Sequence, residues 1–209
     1  MNAVLTSSTN VWRASLMLAL VTLLGFGLLY SLAATGIGGL LFPAQAKGSL
    51  IERDGRVIGS SLVAQPFADD RYFQSRPSAA GYDVMALAGS NQARTNPDLR
   101  ARIDEAREAV AAREGVAVAH VPGDLVTQSG GGIDPHLSPE AIRIQIARVA
   151  RARGVDAAVI ERLVAEHSEG KQFGLFGEPR VNVLELNLAL DGKSGVPSPR
   201  VRGEGAEGG

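Results

Sequence analysis

A run of three glycines, Gly130-Gly131-Gly132, is the feature of this chain whose spacing is most similar to a phosphate-binding loop. In a P-loop the last glycine is followed directly by a lysine and a hydroxyl residue, and a helix begins at once. Here Ile133-Asp134-Pro135 follows, so an acidic side chain lies where a phosphate requires a cation. The run is interpreted as a flexible connection into the next helix, with anion binding by that helix's first amides as the alternative.

Asp134 and His136, with Ser129 nearby, have the residue types of acid–base, metal or hydrolytic chemistry. A zinc site needs at least three protein ligands, and an Asp-x-His pair supplies two. Ser129 lacks the Gly-x-Ser-x-Gly surroundings of a nucleophile elbow. We therefore predict no catalytic residue and no metal site, and interpret Asp134-Pro135 and Ser138-Pro139 as turn and cap pairs. An anchored extracytoplasmic enzyme that uses Asp134 and His136 is the alternative from another class of function.

The segment Arg71–Ser78 interleaves aromatic and arginine residues. Tyr and Arg often anchor protein interfaces, so this composition favours a docking surface. The alternative is that Tyr72 and Phe73 belong to the core and that the arginines are solvated or paired. The residues alone leave both interpretations open.

An N-terminal apolar segment precedes all of these residues. No charged residue lies between Arg13 and Lys47, and the apolar run Leu16–Ala34 would form a helix of about 28 Å, close to the ~30 Å core of a bilayer. We predict a tail at 1–13 and a single transmembrane anchor with its exit turn at 14–42. Ala44-Gln45-Ala46 resembles a cleavage site, so a removed signal peptide is the alternative. Gly36, Gly38, Gly39 and Pro43 are expected to end the helix.

Composition excludes several classes of function. The chain has 21 Lys and Arg against 22 Asp and Glu, without the basic block that nucleic-acid binding requires. It contains no cysteine, which excludes disulfides and thiolate sites. Residues 43–190 are long enough for one soluble domain. Residues 191–209, rich in Gly, Pro, Ser and charge, are predicted to be a disordered tail.

Secondary-structure signals in the domain predict a hairpin followed by helices, an α+β fold. Asp54-Gly55 is a hairpin turn between Ser49–Glu52 and Arg56–Val63. Residues 66–96 show no periodicity and are expected to form an ordered functional loop or to pack on a partner. Helices are predicted to begin after Asn96, Ser138 and Asp156, with Gly115 and Gly154 ending the first two. Arg180–Leu190 carries both a capping box and strand-like alternation, and a helix is favoured.

Taken together and in order, several segments resemble one family, the C subunit of the Kdp-type potassium-transporting P-type ATPase. The resemblance extends from the anchor to about Asp191. The segments that carry it are Phe42–Leu50, Tyr72–Ala79, Gly89-Ser90-Asn91, Asn96-Pro97, Asp124–Gly130, Ile133–Pro139, Gln145 with Arg148-Val149-Ala150, and Arg180–Asn187.

The resemblance implies a non-catalytic accessory subunit of a high-affinity, ATP-driven potassium uptake complex in the bacterial inner membrane. Its implied partners, besides membrane lipid, are a potassium-binding pore subunit, which carries the ion, and a catalytic P-type ATPase subunit. The family is described as a catalytic chaperone that raises the ATP affinity of the catalytic subunit. The implied nucleotide-binding residues are Ser129, Gly130 and Gln145.

Two further expectations accompany the resemblance. The residues expected to dock on partners are Tyr72, Phe73, Arg76, Pro77 and Asn91. The charges that flank the anchor are nearly balanced, so the sequence does not fix its orientation. The family places the soluble domain in the periplasm, which gives an alternative role as a cap or filter at the potassium entrance without nucleotide contact.

Overall fold

The computed structural model of the chain describes residues 8–192 and divides it after Leu50 into two compact units. The N-terminal unit is helical: α1 spans Ser8–Val21, a π-helical stretch spans Thr22–Tyr30, and α2 spans Ser31–Leu41. Within the described residues Val11–Leu41 is the one helix long and apolar enough to cross a membrane, with a mean hydropathy of 2.2. The one long apolar helix that was predicted is thus present, and it begins at Ser8, inside the predicted tail.

The glycines near the end of this helix do not terminate it, contrary to the prediction. Gly36, Gly38 and Gly39 all lie within α2, and the helix ends at Phe42, whose φ and ψ are −133° and 61°. Phe42 precedes Pro43, and a proline excludes the preceding residue from the helical region. Glycine weakens a helix by only about 1 kcal/mol. Of the four residues predicted to end the helix, Pro43 is therefore the one that ends it. A short helix, α3, follows at Pro43–Ala46.

The second unit begins with the predicted hairpin. Strand β1 spans Leu50–Arg53 and β2 spans Arg56–Ser60, three residues shorter than expected. Asp54 and Gly55 have φ values of 52° and 75°, the left-handed pair that a two-residue hairpin turn needs. Residues 61–96 then contain no helix or strand, which confirms the prediction for 66–96 and corrects it for 61–63.

Helix α4, Pro97–Glu114, has the predicted ends. The Asn96 side chain accepts a hydrogen bond from the Asp98 amide at 2.9 Å, and Gly115 adopts the left-handed conformation with φ of 69°. Two 3₁₀ turns follow, at Val118–His120 and Gly123–Leu125.

The helix predicted from Ser138 to Gly154 is instead two helices, α5 at Pro139–Arg143 and α6 at Ile146–Arg153. Gln145 explains the interruption. Its backbone N–H donates to the Ile142 carbonyl, three residues back, and its side-chain NH₂ donates to the Ala141 carbonyl at 3.1 Å. The side chain has replaced the backbone as the partner of the residue four positions earlier, so the helix turns there.

The chain then forms helix α7, Ala157–Glu166, with the Asp156 cap predicted, and strand β4, Ser168–Glu169. Arg180–Leu190 is not one helix: Arg180–Asn182 forms strand β5, and α8 spans Val183–Gly192. One bond of the predicted capping box is present, because the Asn182 side chain accepts from the Glu185 amide at 3.2 Å. Helix α8 includes the first two residues of the predicted tail, and 193–209 lie outside the described residues.

Strand β5 is the centre of a three-stranded antiparallel sheet ordered β3-β5-β4, in which β3 is His136–Leu137. The register pairs His136 with Asn182 and Ser168 with Val181. The sheet and helices α4–α8 enclose one hydrophobic core, so the α+β prediction is confirmed. The largest fully buried apolar side chains are Phe73, Leu137, Ile142, Ile160, Leu163 and Leu186.

Candidate functional site

Two side-chain amides hold the backbone of the segment 71–78 inside the domain. The Asn187 amide accepts from the Phe73 N–H and donates to the Phe73 carbonyl, both at 2.9 Å. The Gln145 side-chain amide likewise accepts from the Gln74 N–H at 2.8 Å and donates to the Gln74 carbonyl at 3.4 Å. Because buried backbone groups need partners, these two amides let an irregular segment enter the core. Phe73, predicted to dock on a partner, is fully buried.

Arg148 on α6 is the main charged contact of this segment. Its guanidinium forms an ion pair with buried Glu114 at 2.9 Å and donates to the carbonyls of Asp70 and Tyr72 at 2.6 and 3.0 Å. It also donates to the Gln145 side-chain oxygen at 2.9 Å. A buried ion pair of this kind is tolerable because further hydrogen bonds satisfy the charges.

Arg153, one helical turn further, binds the segment on its other side. It donates to the Arg71 and Leu190 carbonyls and forms an ion pair with Asp191 at 3.0 Å. Its guanidinium lies 4.9 Å from the centre of the Tyr72 ring. The Tyr72 hydroxyl donates to Asp191 at 2.9 Å, and burial together with this bond raises the pKa of Tyr72 to about 12. Tyr72 is therefore part of the internal packing.

Arg76 and Pro77 connect the segment to the loop that carries the glycine run. Arg76 donates to the carbonyl and hydroxyl of Thr127, both at 3.0 Å, and lies 3.5 Å from the Asp134 carboxylate. The Pro77 carbonyl accepts from the Ser129 N–H at 3.0 Å. One predicted docking residue, Pro77, is thus bonded to one predicted nucleotide residue, Ser129.

The glycine run forms a tightly packed turn. The Ser129 hydroxyl is buried and accepts from the Gly132 and Asp134 amides at 3.1 and 3.3 Å. Gly132 has a φ of 78°, and a Cβ there would lie 2.8 Å from both the Ala80 side chain and the Ala88 carbonyl. Strand β3 follows the turn, whereas a P-loop leads into a helix. Gly130 is exposed, and a Cβ there would meet open space.

The hydrogen bonds of the Gln145 side chain go to residues outside this turn. Its oxygen accepts from Gln74 and Arg148, and its nitrogen donates to Ala141 and Gln74. An amide side chain has two lone pairs and two N–H groups, so all four positions are occupied. Nucleotide contact through Ser129, Gly130 and Gln145 stays a prediction, and it would require these bonds to exchange.

Asp134 and His136 do lie together, with His136 Nδ1 3.4 Å from Asp134 Oδ1 and the His136 N–H bonded to the same oxygen. Hydrogen bonding from His136, and then the charge of Arg76, lower the pKa of Asp134. Among residues 8–192 no group of three His, Cys, Asp or Glu residues could hold a metal ion. The pair has the geometry of a turn, since Asp134 accepts from a backbone amide two residues on.

Two exposed segments contrast with this network. Between Asp83 and Asn91 the chain exposes Val84, Met85 and Leu87, and Asn91 itself is exposed with a φ of 49°. Between β4 and β5 it exposes Phe173, Leu175 and Phe176, which sequence reasoning missed. The signal available was three large apolar residues interleaved with Gly174 and Gly177 and bounded by charge.

A family model described as "KdpC: K+-transporting ATPase, c chain" matches residues 12–192, which is nearly all of the described chain. The chain belongs to the KdpC family. A relative from Xanthomonas oryzae pv. oryzae is 60% identical over 191 residues, 91% of each chain. One from Methylococcus capsulatus is 52% identical over 185 residues, 87% of this chain and 97% of the relative. Both are named "Potassium-transporting ATPase KdpC subunit", and membership of this family confirms the resemblance stated from the sequence.

Proposed function

We propose that the chain is a non-catalytic accessory subunit of an ATP-driven potassium uptake complex, anchored in the bacterial inner membrane by its N-terminal helix. Its proposed partners are a potassium-binding pore subunit and a catalytic P-type ATPase subunit. The observation that carries the proposal is the family match over 12–192, which includes both the apolar helix and the folded unit. Ser129 and Gln145, whose side chains could do chemistry, form hydrogen bonds within the domain, and this supports an assembling and stabilising role.

Affinity purification from potassium-starved cells in mild detergent tests this role. We expect large polytopic proteins in stoichiometric amount with the tagged full chain. His136→Ala should leave both the complex and its transport activity unchanged, because the turn bond to Asp134 comes from the His136 backbone N–H, which alanine keeps. A chain that purifies alone, with an activity that His136→Ala abolishes, would instead favour the anchored enzyme.

The proposal makes any effect on ATP affinity indirect, transmitted through contact with the catalytic subunit. The saturated amide of Gln145 and the buried hydroxyl of Ser129 support this. Gly130 allows a clean test, since a side chain there meets open space. In the assembled pump, Gly130→Glu and the matched control Gly130→Ala should have the same KM for ATP. A carboxylate beside a bound triphosphate would weaken ATP by repulsion, so a KM raised only in Gly130→Glu would establish direct contact.

We further propose that the folded unit lies in the periplasm and caps or filters the potassium entrance. The exposed apolar loop 83–91 supports a docking role for this unit. Because the chain has no cysteine, Ala112→Cys on the exposed face of α4 is a single reporter. With the outer membrane permeabilised and a cytoplasmic protein as control, labelling of intact cells by an impermeant maleimide is expected. Protection until the inner membrane is broken would place the unit beside the catalytic subunit.

A further inference from the structure

The connection between β4 and β5 ends in an exposed apolar cluster, here called the tip and defined as Lys171–Glu178. Phe173 is 89% exposed, Leu175 77% and Phe176 65%. Single exposed apolar residues are ordinary, but three large ones within four residues of a structured turn indicate an interaction site.

The tip has its own hydrogen bonds. Gln172 and Phe176 exchange backbone bonds of 2.8 and 3.0 Å, and the Gly174 and Leu175 amides donate back to Lys171 and Gln172 at 3.0 Å. The apolar side chains are therefore presented by an ordered turn, which reduces the ordering entropy lost on binding.

Phe173 has a φ of 53°, a conformation uncommon for a bulky residue. A left-handed residue with a Cβ costs about 1–2 kcal/mol, and Asn or Gly would adopt it with less strain. Such strain accumulates at sites that contact ligands. Phe173 thus combines a strained backbone with a ring that contributes little to the core.

The charges at the base of the tip are paired internally. Lys171 lies 3.4 Å from Glu178, and Arg180 lies 2.7 Å from Glu169. Peripheral membrane segments normally carry a surplus of Lys or Arg facing anionic lipid. A neutral base with an aromatic apex instead fits a desolvated apolar pocket in a protein, where aromatic anchors dominate the binding energy.

The size of the tip also argues against a second copy as the occupant. Two phenylalanine rings bury about 300–500 Å² when fully covered. Two tips meeting symmetrically would bury about 600–1,000 Å², less than the roughly 1,200 Å² of a stable interface. The tip therefore suits one anchoring contact within a larger heteromeric interface.

We infer that the tip is an apolar anchor that inserts Phe173 and Phe176 into an apolar pocket of another protein subunit of the pump. The inference rests on the proposed function, because it requires that such subunits exist. Strand β5, which follows the tip directly, pairs with β3 and β4 and leads into α8. The tip is thus attached to the central strand of the sheet in the folded unit.

A photo-crosslinking amino acid at position 173 of the full chain, in the assembled complex, identifies the occupant. We expect a crosslink to a different subunit. Crosslinks only to lipid, or only to a second copy of the chain, would overturn the inference.

Competition between wild-type and variant chains for incorporation into the complex measures how strongly the tip binds. Wild-type chain and the double variant Phe173→Asn, Phe176→Ser are co-expressed with different tags, and the ratio recovered in the complex is determined. A hot-spot residue changes a dissociation constant by about 30-fold, so wild type should exceed the variant by at least about tenfold.

The control is Leu62→Ser, which removes another exposed leucine outside the tip and should compete evenly. Even competition by the double variant would overturn the inference alone. If the wild-type chain itself enters no complex, the proposed function fails. An unfolding temperature of the variant that is no lower than that of the wild type confirms that folding is intact.

Discussion

The segment 71–78 and the tip have similar compositions and opposite surroundings. Both are irregular, and both combine two aromatic residues with charge. In the first, buried side chains from α6 and α8 reach over to satisfy the backbone, so its aromatic residues pack inward. In the tip, the backbone hydrogen bonds of Gln172, Gly174, Leu175 and Phe176 are local, and the aromatic side chains are exposed to solvent. An irregular segment therefore becomes core only where other elements supply its hydrogen bonds.

The strongest way to break the inward segment is Arg148→Ala. The substitution leaves Glu114 buried without its ion-pair partner from α6 and removes the donor to the Asp70 and Tyr72 carbonyls. Removing one partner of a buried pair costs about 3–5 kcal/mol. Urea unfolding of the full chain in detergent, followed by circular dichroism, measures the loss. Arg151→Ala, on the exposed face of the same helix, should change the free energy of unfolding by less than about 0.5 kcal/mol. Equal effects of the two substitutions would contradict the proposed role of Arg148.

Gly132→Ala should have the next largest effect, because it acts where the segment meets the glycine run. An added Cβ would clash with Ala80 and Ala88 in a left-handed conformation, which together cost about 2–4 kcal/mol. Gly130→Ala, two residues earlier, meets no atom and serves as the matched control. The same unfolding experiment compares them. If both variants were as stable as wild type, the turn would not be packed as described.

The features that local chemistry controls were predictable from the sequence. Asn96, Asp156 and Gly154 define helix ends through contacts with residues a few positions away, and the structure has these ends. The interruption at Gln145 was not predictable, because the side chain that bonds the Ala141 carbonyl is also bonded to Gln74, which is 71 residues distant. The same holds for the candidate site. The sequence offered Phe73 and Gln145 as candidates, but their burial depends on contacts between distant segments.

A weaker test of the inward segment uses the Tyr72 hydroxyl. Tyr72→Phe removes its bond to Asp191 and should cost about 1 kcal/mol at pH 8. Burial and that bond raise the folded pKa to about 12, above the ordinary value near 10. Between these values the unfolded chain loses the proton while the folded chain keeps it, so wild-type stability falls as pH rises.

The stability advantage of wild type over Tyr72→Phe should therefore fall as pH rises above about 10 toward 12. Tyr82, whose pKa burial also raises, is present in both chains and cancels in the comparison. Unfolding free energies measured at several pH values test this. A difference that stays constant over the whole range would show that Tyr72 titrates normally in the folded chain.

The smallest expected effect is at the tip, where Phe173→Asn should not destabilise the chain. The phenylalanine ring is almost fully exposed, so little burial is lost, and asparagine adopts a left-handed backbone with less strain. We expect the free energy of unfolding to stay the same or to rise by up to about 1 kcal/mol. Phe176→Asn, whose φ is not positive, should show no such gain and isolates the conformational contribution. A loss above about 1 kcal/mol in Phe173→Asn would mean that this ring packs on the domain, and the contrast between the two regions would fail.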